Sequence, residues 1–239
     1  MTTMGAFGPS AVGEASSLPA YSTFSTAFAS ISLHQTDRIR LMRFSDQEID
    51  SVRQVIKTSW SFGLQSERVY GMSYEFKLSS NPWSGQGRDA IPSRIVIREI
   101  LAYLFSVGWI LHASIDVSKK EFDKDTLIFR KQPSPPPQSE WISISFNQSD
   151  RMRLIGADQT LIGEVRDLLK ARSLLQSESW KDQRLQAWEY KIRGTPWYAS
   201  GENTMVTRFL LLGLLEVLEK AGWSLYASCK SFFTTLCCT

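Results

Sequence analysis

One stretch of the chain occurs twice, as Arg94–Ser114 and again as Arg208–Ser228. The first opens Arg94-Ile95-Val96-Ile97 and closes Gly108-Trp109-Ile110-Leu111. The second opens Arg208-Phe209-Leu210-Leu211 and closes Gly222-Trp223-Ser224-Leu225. Leu101 and Leu104 fall in line with Leu215 and Leu218 at the offset that aligns the two Gly-Trp pairs. Each copy reads as an apolar helix stopped by glycine and followed by a strand opened by tryptophan. A repeat on this scale means that the fold is one unit built twice.

The rest of the chain duplicates in the same order. Ser30–Leu33 and Arg38–Leu41 alternate apolar and polar residues around His34–Asp37, and Ser143–Phe146 and Arg151–Leu154 do so around Asn147–Asp150. Each pair predicts a β-hairpin. Ser45 or Asp46 then caps a helix with Glu48 near its third position, and Ile49, Val52, Val55 and Ile56 share one face. In the second copy Ile162, Val165, Leu168 and Leu169 do the same, and Arg53 matches Arg166. Leu64–Glu67 recurs as Leu175–Glu178. Tyr74–Leu78 and Trp188–Ile192 alternate as a strand with one buried face. A Pro-Trp loop follows, Asn81–Gly87 or Thr195–Gly201, and leads into the repeated helix.

These patterns predict an α+β fold. It is a tandem duplication of a module whose mainly antiparallel sheet is covered by two helices. Residues 1–27, rich in Ser, Thr, Ala and Gly and nearly uncharged, are expected to be a disordered tail. The first module spans residues 28–131 and ends in a strand at Thr126–Phe129. A Pro-rich linker covers 132–140 and reads as stiff and extended. The second module spans 141–239 and lacks a counterpart of that last strand. Phe232–Cys237 either supplies an improvised strand or leaves an open edge. The two modules are expected to superpose from Gln35–Ser114 onto Gln148–Ser228, apart from the loop between helix and strand.

Composition narrows the function classes. With 43% hydrophobic residues among 239, the chain has material for sizeable cores. A net charge of +3 does not by itself imply a polyanionic partner. The three cysteines, Cys229, Cys237 and Cys238, cannot frame a disulfide fold, and a reducing compartment fits them. Phe209–Leu218 is too short to span a bilayer and contains Glu216. Neither a secretory signal nor a transit peptide is expected, and the cytosol is the default location, with the nucleus as the alternative. Cys237-Cys238-Thr239 is similar to the double-cysteine tails that receive prenyl groups, but no GTPase motif accompanies it.

Chemistry-bearing residues are sparse. The two histidines, His34 and His112, face Asn147 and Tyr226 in the alignment, so a His-based catalytic set would exist in one module only. No Cys–His spacing suits a metal, and no cofactor is expected. Gly85 and Gly87 do not make a phosphate cradle, since no Lys-Ser or Lys-Thr follows and Ala199 replaces Gly85. The candidate binding residues are the loop tryptophans Trp83 and Trp197, the helix-heading Arg94 and Arg208, and the hairpin-tip Arg38 and Arg151. Each has a structural reading: the tryptophans as plugs between sheet and helix, the helix arginines as partners of Glu75 and Glu189, the tip arginines as turn residues. The expected function is a non-enzymatic interaction protein that binds a protein or peptide. A nucleic-acid binder using Arg38, Arg40, Arg43 and Arg53 with Arg151, Arg153 and Arg166 is the rival, and an enzyme comes third. The sequence leaves the oligomeric state open.

Overall fold

A computed structural model describes residues 27–85, 87–115, 123–229 and 233–238; for 123–125, 229 and 233–238 it describes the backbone alone. The expected tail lies outside the described residues. The chain begins with the hairpin β1 (Phe28–His34) and β2 (Arg38–Met42). Ile31, Leu33, Ile39 and Leu41 point to the core, while Ser30, Ser32, Arg38 and Arg40 point outward. Gln35 and Gln148 both adopt φ 54°, so the two hairpin tips turn in the same way.

Helix α1 (Asp46–Ser59) follows, held by a capping box between Ser45 and Glu48. Its Val52 and Ile56 are buried against the sheet. Strands β3 (Leu64–Tyr70) and β4 (Ser73–Leu78) come next, then 3-10 turns at Pro82–Ser84 and Gly87–Asp89. Helix α2 (Ala90–Ser106), β5 (Trp109–Ile115) and β6 (Asp123–Lys131) complete the first module. The second module repeats the order: β7 (Glu140–Asn147), β8 (Arg151–Ile155), α3 (Gln159–Ala171), β9 (Leu175–Asp182), β10 (Ala187–Ile192), α4 (Asn203–Lys220) and β11 (Trp223–Cys229). Gly108 and Gly222 lie at φ 84° and 85° between helix and strand, a conformation that favours glycine.

Two strands differ from expectation. β3 and β9 stand where the recurring Leu-Gln-Ser-Glu showed no strand signal. β3 is an edge strand, and its residues from Gln65 to Tyr70 are exposed, so nothing in it alternates. Of the two alternatives for the end of the second module, the improvised strand is the one formed. Phe233–Cys238 forms β12, inserted between β7 and β11. The first sheet runs β3-β4-β2-β1-β6-β5 and the second β11-β12-β7-β8-β10-β9, which is the same order read in reverse. Every adjacent pair in both sheets is antiparallel.

The linker does not hold the modules apart. α2 packs its inner side on the first sheet and its outer side on the second. Ile91, with Ile95 beside it, meets Ile155 and Ala187 on the face of the second sheet that α3 and α4 leave uncovered. Beneath α2, Ser143 and Ser145 are almost fully buried, and their small side chains let the helix approach. Arg98 Nη1 donates to the Ile155 carbonyl at 3.3 Å. Along one margin Phe105, Trp141 and Tyr226 meet edge to face at 4.8–5.5 Å, and the Leu111 N–H donates to the Tyr226 hydroxyl at 2.8 Å. The layers therefore run sheet, helices, sheet, helices.

Candidate interaction surfaces

Each module carries an Arg–Glu cluster on the outer face of its sheet. Alternation along β4 turns Phe76 inward and Glu75 outward, where Glu75 lies opposite Arg40 on β2 and Arg68 on β3. Glu75 accepts from Arg38 Nη1 and Arg40 Nε at 2.7 Å and from Arg68 Nε at 2.9 Å, and only 2% of it is exposed. Burial alone would raise its carboxyl, but hydrogen bonds from Arg40 and Arg68 and the charge of Arg38 outweigh this and hold it below the usual range. Arg40 also lies over the Tyr70 ring at 4.0 Å. In the second module Glu189 accepts from Arg153 at 2.7 Å and from Arg151 at 3.3 Å.

The pairing of Arg94 with Glu75 expected from sequence is not the one formed. Glu75 sits on the outer face of its sheet, whereas α2 covers the inner face. Arg94 is instead buried between α2 and the second sheet, where its Nη1 donates to the Ala90 carbonyl at 2.8 Å. Burial first, and then the charge of Arg153, push its pKa down to about 10. Arg208, its counterpart on α4, is exposed, with Nη1 3.7 Å from Met205 Sδ.

The loop tryptophans are set by the strands beside them. Trp83 is buried, and its indole N–H donates to the Arg38 carbonyl at 3.0 Å. Trp197 is half-buried, donates to the Arg151 carbonyl at 2.9 Å and lies 4.5 Å from the Phe146 ring. Arg38 and Arg151 are half-buried and drawn to Glu75 and Glu189. Arg53 and Arg166 likewise face Glu67 and Glu178.

A domain-family model matches the chain twice, over residues 27–130 and 140–232. The chain belongs to that family. No curated protein and no solved structure matches it. The two matches follow the two modules, so each module is one copy of the family's domain. β12 begins just past the second match, although it fills the sheet position that β6 holds in the first.

What distinguishes the second domain is the surface it leaves open. α2 buries eleven of its residues, whereas α4 buries Leu210, Gly213, Leu214 and Leu218 alone. On the outer side of α4, Met205 is 58% exposed, Phe209 62% and Leu212 59%, with Val206 and Leu215 beside them. Together these side chains form an exposed apolar strip along one side of α4.

A cleft of about 270 Å³ adjoins this surface, lined by Leu174, Ile192, Arg193, Tyr198, Val206 and Leu210 among others. In the first domain Trp60 ends α1 and reaches the Ser79 carbonyl at 3.2 Å. The corresponding turn of the second domain, residues 172–174, carries no aromatic. Among the described residues no helix is long and apolar enough to cross a membrane, and no group of three His, Cys, Asp or Glu could hold a metal ion.

Proposed function

We propose that the chain is a non-enzymatic protein-binding module pair whose main docking surface is the outer side of α4. The observation that carries this reading is the row Met205, Phe209 and Leu212, each more than half exposed on a helix whose twin in the first domain is buried on both sides. Apolar side chains at this spacing on one helix suit an apolar partner surface better than a small polar substrate. The arginines lend less support to a nucleic-acid partner. Arg38, Arg40 and Arg68 gather on Glu75, Arg151 and Arg153 share Glu189, and Arg53 and Arg166 face Glu67 and Glu178, so these guanidiniums are already engaged with carboxylates within the chain. A cytosolic or nuclear setting goes with this reading.

The test places a photo-crosslinking amino acid at position 209, and at Gln54 on the exposed side of α1 as control, in the full chain in its native cell. Position 209 is expected to give discrete protein adducts and position 54 none. Adducts equal at both positions, or absent at 209, would overturn the reading.

A further inference from the structure

The next step rests on the reading of α4 as a protein-binding surface and names the protein. We propose that the outer side of α4 docks on the outer face of the first sheet of a second copy of this chain. The contact would repeat, between chains, the packing that α2 makes on the second sheet within one chain.

The chain holds a worked example of the contact and both halves of another. Within the chain, α2 presents Ile91, Arg94, Ile95 and Arg98 to the second sheet; the same positions on α4 are Met205, Arg208, Phe209 and Leu212. The receiving surface is also duplicated. Ser143 pairs with Ile155 across β7 and β8, and Ser30 pairs with Met42 across β1 and β2 at the same register. Ser143, Ser145 and Ile155 are buried under α2, whereas Ser30 and Ser32 are half-buried and Met42 is 38% exposed. Each sheet also sets its Arg–Glu cluster beside this strip. Among the described residues, one chain thus displays a helix face without a sheet and a sheet face without a helix.

One pair of positions shows a compensating exchange. In the internal contact the Arg98 guanidinium crosses Gly156, where an added Cβ would lie 2.5 Å from Nη1. At the open surfaces Leu212 stands in the place of Arg98, and Arg43 in the place of Gly156. The charge has moved from helix to sheet, and the helix residue has become apolar. Glu216, one turn beyond Leu212, gives that arginine a carboxylate to meet.

Because the two surfaces differ, the association is head to tail. It continues into an open series or closes into a ring, and it does not stop at a symmetric pair.

Sedimentation velocity on the purified full chain, from micromolar to hundreds of micromolar, tests this with Leu212→Glu on the helix and Met42→Lys on the sheet. Circular dichroism confirms that both variants remain folded. The unmodified chain is expected to grow beyond a dimer with concentration. Each variant alone should need at least about tenfold more protein to associate. Mixed together they should form a one-to-one dimer, since each keeps the surface that the other has lost. Growth of Met42→Lys like the unmodified chain would mean that α4 pairs with itself, and overturns the proposal. A chain monomeric throughout also overturns it. In that case adducts from position 209 would leave the protein-binding reading standing, and their absence would remove both.

Discussion

Trp109→Ala lowers the stability of the chain by about 3–5 kcal/mol, the range for emptying a buried aromatic site. Trp109 is 4% exposed and meets the Phe44 ring edge to face at 5.2 Å. Its indole N–H donates to Glu48 Oε1 at 2.6 Å, and the Lys131 ammonium reaches the same oxygen at 3.0 Å while lying over the ring. Glu48 is also half of the capping box that starts α1. Removing the ring therefore opens a cavity and takes a hydrogen bond from the carboxylate that ties α1 to β5 and β6. Trp223, its counterpart, is half-buried, and its substitution by alanine should cost less, about 1–2 kcal/mol. Urea denaturation checks both, and a Trp109→Ala midpoint equal to that of the parent would show that the ring is not a core element.

Deleting residues 233–239 should have the largest effect of any change considered. β12 pairs with β7 on one side and β11 on the other, so its loss strips hydrogen bonds from both and leaves β11 with no neighbour in the sheet. The core of the second domain would then open along β7, whose Ile142 and Ile144 are buried. Amide exchange in β7 and β11 should accelerate by about 100-fold or more, the change that a loss of about 3 kcal/mol produces. The amides of β1 and β2, in the other sheet, should keep their protection. Unchanged exchange in β7 and β11 would mean that this strand contributes nothing to the sheet.

Much of each domain was legible because its signals are local. The hairpin alternation from Ile31 to Leu41, the Ser45–Glu48 cap and the Gly-Trp pairs each depend on residues close in sequence, and duplication repeated every signal. β3 was not legible because an edge strand with wet faces has no alternation to display. β12 was visible as a candidate segment, but its position between β7 and β11 depends on pairing with a distant strand. The contact between the domains was hidden for a different reason. It is built from Ser143, Ser145, Arg94 and Arg98, polar residues whose burial depends on a second layer that local pattern does not reveal. The misassigned partner of Glu75 has the same origin, since strand alternation turned that carboxylate away from α2. Of the candidate site, the arginines and tryptophans were visible as residues. The open side of α4 became visible only against the covered side of α2.

α2 and α4 are the same helix in different surroundings, and hydroxyl-radical footprinting of dilute, monomeric protein compares them directly. Met205, Phe209 and Leu212 should be modified rapidly, while Ile91 and Ile95, at the first two of those positions on α2, should react slowly beneath the second sheet. Equal modification of the two helices would contradict the stacked arrangement, and with it the assignment of α4 as the chain's open docking surface.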